Sequence, residues 1–316
     1  MYLPYLHGKQ EELLAVATLA PALGDLVVPI IKPVNLDATN TIRRLERISD
    51  HLRVALITNS DKGRGGPPSY ADVLAALSQG PLAAHPDRYL PAFELRATST
   101  LPELARFATD FANRRCLIVH KRHTFTPVQV AGPLQRLRAQ PVQVFVEPGI
   151  AIGGYTNLPS VARIVVRNGF IACERNADYP AQDAFDDLVY GYAARGFDGF
   201  GDFSMIGDSY SATGGPAHAV ALHLTEDTGT DLVMNHFKSH SIGVDTRTMY
   251  FEALTNLIAY GANRPSLMST QGAAQFQLSQ QQRAFPNLGP AKRWSVMHHI
   301  ETIHGILMAG NATPAF

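Results

Sequence analysis

The chain has 316 residues, 46% hydrophobic and 17% charged, which suits one large soluble domain or two ordinary ones. Its 27 basic and 27 acidic residues cancel, which excludes coating of nucleic acid by the whole surface and leaves a local basic groove open. Two cysteines, Cys116 and Cys173, are too few for a disulfide framework or a four-cysteine zinc site.

The opening MYLPYLHGKQEE has no basic start and no long apolar core, so a signal peptide is not expected. No apolar run approaches the roughly 20 residues that span a bilayer, and a cytoplasmic protein without membrane contact is expected. In chain order, residues 2–6 read as a first strand, ending at His7-Gly8-Lys9. A helix follows over 9–19, stopped by Gly24. Residues 27–31 are continuous and β-branched, the pattern of a strand covered on both faces. Ile42, Leu45, Ile48 and Leu52 share one helical face, with Asp37 or Asn40 as cap. Strands are predicted over 54–58, 89–95, 116–120, 142–146, 162–166 and 200–203. Helix starts fall between them: Ser69, the Thr100/Glu103 capping box, and Thr126 followed by Pro127. Residues 182–194 also read as helical.

Strands alternating with helices imply a parallel sheet. Seven or eight such units over about 205 residues favour an α/β fold of the (β/α)8 TIM-barrel type. The alternative, a doubly wound open sheet, usually carries a glycine-rich first turn, absent from His7-Gly8-Lys9-Gln10. Residues 1–206 would form the barrel body. Residues 207–316 would add a β-hairpin (220–224 and 232–237) and three C-terminal helices packed on it, one of them the Gln-rich stretch 271–283, the most loop-like part of the tail.

Barrel chemistry sits at the C-terminal strand ends. Those ends supply His7, Lys9, Lys32, Asn59, Asp61, Glu94, Arg96, His120, Lys121, Arg122, Glu147, Arg167, Asn168 and Asp202. The run His120-Lys121-Arg122-His123 suits phosphate or carboxylate. Glu94 and Glu147 are expected to face each other across the mouth, as an acid–base pair or as ligands of a hard cation with Asp61 or Asp202. A divalent metal is thus a candidate cofactor, although no HExxH-type spacing supports one. The loop 59–68 could cradle phosphate but lacks Walker spacing. A Ser/Thr/Gly loop follows Asp208 (Ser209, Ser211, Thr213, Gly214, Gly215). Ser211 or Ser239 with His223 and Asp208 could form a hydrolytic triad, without a GxSxG elbow. His298 and His299 sit side by side on a helix and point to different faces, so they make no ready metal pair.

The segments MYLPYLHGKQEEL, VVPIIKPV, RNADYP, FGDFSMIGDSYSATGGPAHAVALHLT, NHFKS and RWSVMHHIE together resemble a bacterial family related to the "beta family" of phage and bacterial proteins. The resemblance covers nearly the whole chain. It implies a barrel-like α/β fold and a small PD-(D/E)XK nuclease-like partner encoded nearby, in phage-defence or mobile-element settings. It marks Lys9, Glu12, Asn176, Asp178, Tyr179, Asp202, Asp208, Tyr210, Ser211, His223 and His236 as motif positions, without assigning roles.

The function expected on these grounds is binding of a phosphate-bearing ligand, a nucleotide or nucleic-acid end, through Lys9, Arg96, Lys121 and Arg122. If the chain is an enzyme, the chemistry would be phosphodiester cleavage. Asp202 or Glu147 would be base or metal ligand, and His120 or His223 general acid. Glu94, Asn176, Asp178, Tyr179, Asp208, Ser211 and His236 complete the expected ligand-binding set. The alternative is a catalytically empty scaffold or sensor, in which the hairpin and tail bind the nuclease-like protein or a second copy. An aldolase-type or carbohydrate enzyme rests on fold analogy alone.

Overall fold

A computed structural model describes residues 1–211 and 217–316. Thr213, Gly214 and Gly215 of the Ser/Thr/Gly loop lie outside the described residues. The barrel strands are β1 (Tyr5–Leu6), β2 (Ile30–Ile31), β3 (Val54–Ile57), β4 (Tyr89–Leu95), β5 (Leu117–His120), β6 (Val142–Glu147) and β7 (Ala162–Arg167). Strand β8 (Gln182–Asp186) leaves the barrel, and β9 (Gly199–Asp202) completes it. All eight barrel strands are parallel. A bridge between Tyr2 and Phe200, with Leu3 N donating to Phe200 O at 2.8 Å, closes the sheet. Gly201 is needed there, because a Cβ would run into the Leu3 carbonyl.

Five α-helices follow the first five strands: α1 (Gln10–Leu23), α2 (Thr39–Ser49), α3 (Tyr70–Gln79), α4 (Leu101–Asp110) and α5 (Pro127–Leu134). Ser69, Thr100 and Thr126 all form capping boxes, the last with Gln129. A single 3-10 turn (Ile152–Gly154) links β6 to β7. The fold is TIM-barrel-like. Among the described residues, no helix is long and apolar enough to cross a membrane.

Side chains alternate along each strand, and this decides what the mouth contains. Leu3, Tyr5, Ala55, Ile57, Leu117, Val119, Ile164 and Val166 fill the barrel interior. Their neighbours Leu56, Ile118 and Val165 point outward, into the clusters under the helices.

A second sheet runs β10 (Ala221–Asp227), β11 (Leu232–Lys238), β8, all antiparallel. The expected helix over 182–194 is therefore replaced by strand β8 at its start and a single helical turn, α6 (Leu188–Gly191), after it. Pairing with β11 overrides the helical composition there. The added layer thus draws a strand from before residue 206. The tail forms α7 (Thr246–Gly261), α8 (Gln271–Gln282) and α9 (Leu288–Ala309). The Gln-rich stretch is regular helix, capped by Thr270 and buried through Ala273 and Phe276. Helix α9 packs on α1, α8 and β10 and ties the tail to the barrel.

Candidate binding site at the barrel mouth

The inner mouth is built from in-phase strand ends. Lys32 continues the inward set of β2, Glu94 and Arg96 that of β4, and Lys121 that of β5. Lys32 Nζ lies 2.6 Å from Glu94 Oε2 and 2.5 Å from Asp61 Oδ1, and Arg96 Nη1 lies 3.0 Å from Glu94 Oε2. Tyr5 donates to the other Glu94 oxygen at 2.9 Å. Asn59 clamps the Glu94 backbone in both directions, at 2.9 and 3.0 Å. Burial would raise the Glu94 carboxyl, but Lys32, Lys121 and Arg96 override it and hold its pKa at about 2. His7, close to Lys32, Lys62, Lys9 and Lys121, is kept neutral by burial and by those charges, with a pKa of about 3.

The segment 207–211 lies over this cluster and is held by lysines. Lys121 pairs with the Asp208 carboxylate, Lys62 donates to Asp208 O at 3.2 Å, and Lys9 donates to Ser211 O at 2.8 Å. Lys9 also stands 4.8 Å from the Tyr210 ring centre. Lys32, Lys121 and Arg96 have carboxylate partners, whereas Lys9 and Lys62 donate to carbonyls.

Beside the lysine-held segment lies a groove of 920 Å³ formed by the loops after β1, β2 and β3. Its walls carry Lys9, Arg44, Arg64, Asn35, Asn40, Asn176, Tyr210 and Ser211, with Glu174 the one carboxylate among the described lining residues. The first turns of α1 and α2 border it through Gln10, Asn40 and Thr41. Both helices thus direct their amide-rich ends toward it, an arrangement that favours anions. Thr41 is 1% exposed and its hydroxyl has no hydrogen-bond partner. Gly8 makes the turn into α1 at φ +61, where a Cβ would sit 2.9 Å from Lys32 O.

Other predicted residues lie elsewhere. His120, Glu147 and Asp202 are out of phase with the interior and point away from it. His120 is buried under the helices, donating to Gln143 Oε1 at 2.8 Å, 3.1 Å from His123, and stacked on Phe145. Burial depresses its pKa to about 3. Glu147 does not face Glu94; it pairs with Arg167 at 2.9 Å. Asp202 is buried, accepting from Tyr2 at 2.9 Å and from the Ser204 amide at 2.6 Å, with His299 Nε2 at 3.1 Å. His299 Nδ1 in turn meets the Thr225 hydroxyl at 2.6 Å, and His298 Nε2 the Thr225 carbonyl at 2.7 Å. The adjacent histidines therefore join α9 to β10 and β9. Arg122 is exposed, and Asp178 pairs with exposed Arg175 at 2.8 Å. His223 and Tyr179 line a second cavity, and the His236 ring packs against both of them. The suggested triad does not assemble: Asp208 is on Lys121, His223 on His236, and Ser239 bonds the backbone of Val220 and Ser241.

Among the described residues, no three His, Cys, Asp or Glu side chains are grouped to hold a metal ion. No protein-family model, no curated protein and no solved structure matches the chain. Sequence reasoning missed Arg44 and Thr41, and it marked the loop 59–68 that carries Arg64 as a phosphate cradle for its glycine amides. Arg44 and Thr41 lie on the first turns of α2, where a site facing the strand ends could have been sought.

Proposed function

We propose that this chain binds a phosphate-bearing ligand, a nucleotide or nucleic-acid end, in the groove beside the barrel mouth. The observation that carries it is the convergence of Lys9, Arg44 and Arg64 with the first turns of α1 and α2 and the unpartnered Thr41 hydroxyl. The sequence resemblance supports a setting in phage defence or a mobile element, beside a nuclease-like protein. Binding is favoured over phosphodiester cleavage because no histidine is among the described residues lining the groove. The residues first expected to move protons are tied into buried or outward-facing contacts.

Calorimetric titration with ATP and with a 5′-phosphorylated oligonucleotide tests this. Binding should weaken with salt and fall about ten- to a hundredfold in Lys9→Ala or Arg64→Ala, the loss expected for a charge-assisted contact. Equal binding by native protein and both variants would sink the proposal.

A further inference from the structure

Next to the groove, with Asn176 in the wall of both, a cavity of 320 Å³ lies between β10, the loop 170–179 and α9. Its walls combine apolar and aromatic groups, among them Phe170, Tyr179 and Leu222, with the polar side chains of His223, Asn176, Lys292 and Ser295. The Phe170 and Tyr179 rings meet His223 edge-on, at 5.3 and 4.9 Å between centres. A pocket with apolar and aromatic walls and a few placed polar groups is the usual form of a small-molecule site.

The polar group is oriented by a relay. Asp183 Oδ1 lies 3.2 Å from His236 Nε2, an electrostatic contact that is not aligned as a hydrogen bond, and His236 Nδ1 lies 2.7 Å from His223 Nδ1. A carboxylate beside Nε2 favours the tautomer of His236 that carries its proton there. His236 Nδ1 is then an acceptor, so His223 Nδ1 must be the donor of the 2.7 Å contact. That leaves His223 Nε2 with a lone pair. Tyr179 stacks on His236 at 4.6 Å and 19°, which fixes the ring plane.

We infer that this cavity is a second ligand site, for a flat aromatic molecule carrying one O–H or N–H donor to His223 Nε2. Phe170 and Tyr179 supply the ring contacts, and the Asp183–His236–His223 relay supplies the acceptor. The inference does not depend on phosphate binding in the groove, and probes without phosphate test it alone.

The probes are phenol and toluene, alike in shape and differing in one donor. Titration followed by protein NMR should show phenol binding about five- to tenfold more tightly than toluene, the worth of one hydrogen bond. His223→Phe should erase that preference while toluene still binds. Histidine ring-nitrogen spectra of the native protein give a second readout that does not depend on the variant folding. His223 Nε2 should be unprotonated, and should shift with phenol but not with toluene. Equal affinity for the two probes, no binding of either at millimolar concentration, or a protonated Nε2 would each overturn the inference.

Discussion

Lys32 and Glu94 meet at 2.6 Å with side chains 1% and 0% exposed, in the centre of the barrel mouth. Neither charge is tolerable there alone. Asp61, Arg96 and Lys121 complete a five-membered ion cluster around them, and Tyr5 donates to the second Glu94 oxygen. Removing one partner of a buried pair costs about 3–5 kcal/mol where it leaves a charge uncompensated. Here Arg96 and Lys121 still face Glu94, and Asp61 still faces Lys32, which places the loss at the lower end. Lys32→Met and Glu94→Gln should each be destabilising on that scale in urea unfolding. The double variant Lys32→Met/Glu94→Leu should lose much less than the sum. Additive losses would show that the two residues act independently.

The same alternation that buries this pair explains what the sequence did and did not disclose. Strand positions, their order and the capping boxes were legible because apolar runs and cap residues are local signals. Strand ends were legible as well, but taking every polar residue at an end as a mouth residue ignored the phase of its strand. Val119 and Val146 point in, so His120 and Glu147 beside them point out. Along β5 the run 116–119 is apolar on both faces, and only the placing of Leu117 and Val119 in the interior separates Lys121 from His120. Two further things were not legible. The pairing of β8 with β11 joins segments some 50 residues apart, and the groove takes Lys9, Asn176 and Tyr210 from distant loops.

Asp202 illustrates the difference between a charged strand end and a site. It holds Tyr2, the Ser204 amide and His299, and so fastens α9 to the barrel. Asp202→Asn should lower stability by about 2–4 kcal/mol, since buried partners lose a charged acceptor. ATP binding to the folded fraction should be unchanged. Lys9→Ala should do the reverse, weakening binding while the melting temperature holds within a degree or two. Thermal melts and titrations on both variants separate the two roles. Loss of ATP affinity in folded Asp202→Asn would place this carboxylate in the binding machinery after all.

Gly8 tests the geometry that delivers Lys9 to the groove. Its φ of +61 and the nearness of Lys32 O leave no room for a Cβ. Gly8→Ala should cost about 1–2 kcal/mol from the left-handed backbone alone, with the close approach adding to it. Because Lys9 follows directly, ATP affinity should fall together with stability. A variant with native stability and native affinity would show that the turn relaxes freely.

Acid should unfold the protein earlier than its balanced charge suggests. His7, His120 and His223 are held to pKa values of about 3, and His123 and His298 to about 4, burial being the leading cause in each. In the unfolded chain these histidines titrate near 6.5, so between about pH 6.5 and 4 the unfolded state binds more protons and stability falls as pH falls. Asp186, raised by burial to about 6, acts in the opposite sense over the lower part of that range. These five histidines against one carboxyl leave about four protons, or up to about 5 kcal/mol per pH unit. Urea unfolding at pH 7.5, 6 and 5 should show this decline, and His120→Gln should remove up to about a quarter of it. Glu94 adds a second loss at lower pH. Its pKa of about 2 is depressed, so its stabilisation is complete above the unfolded value near 4.3 and disappears as pH drops through 2. A stability that is flat from pH 7.5 to 5 would mean that the buried histidines accept protons in the folded state.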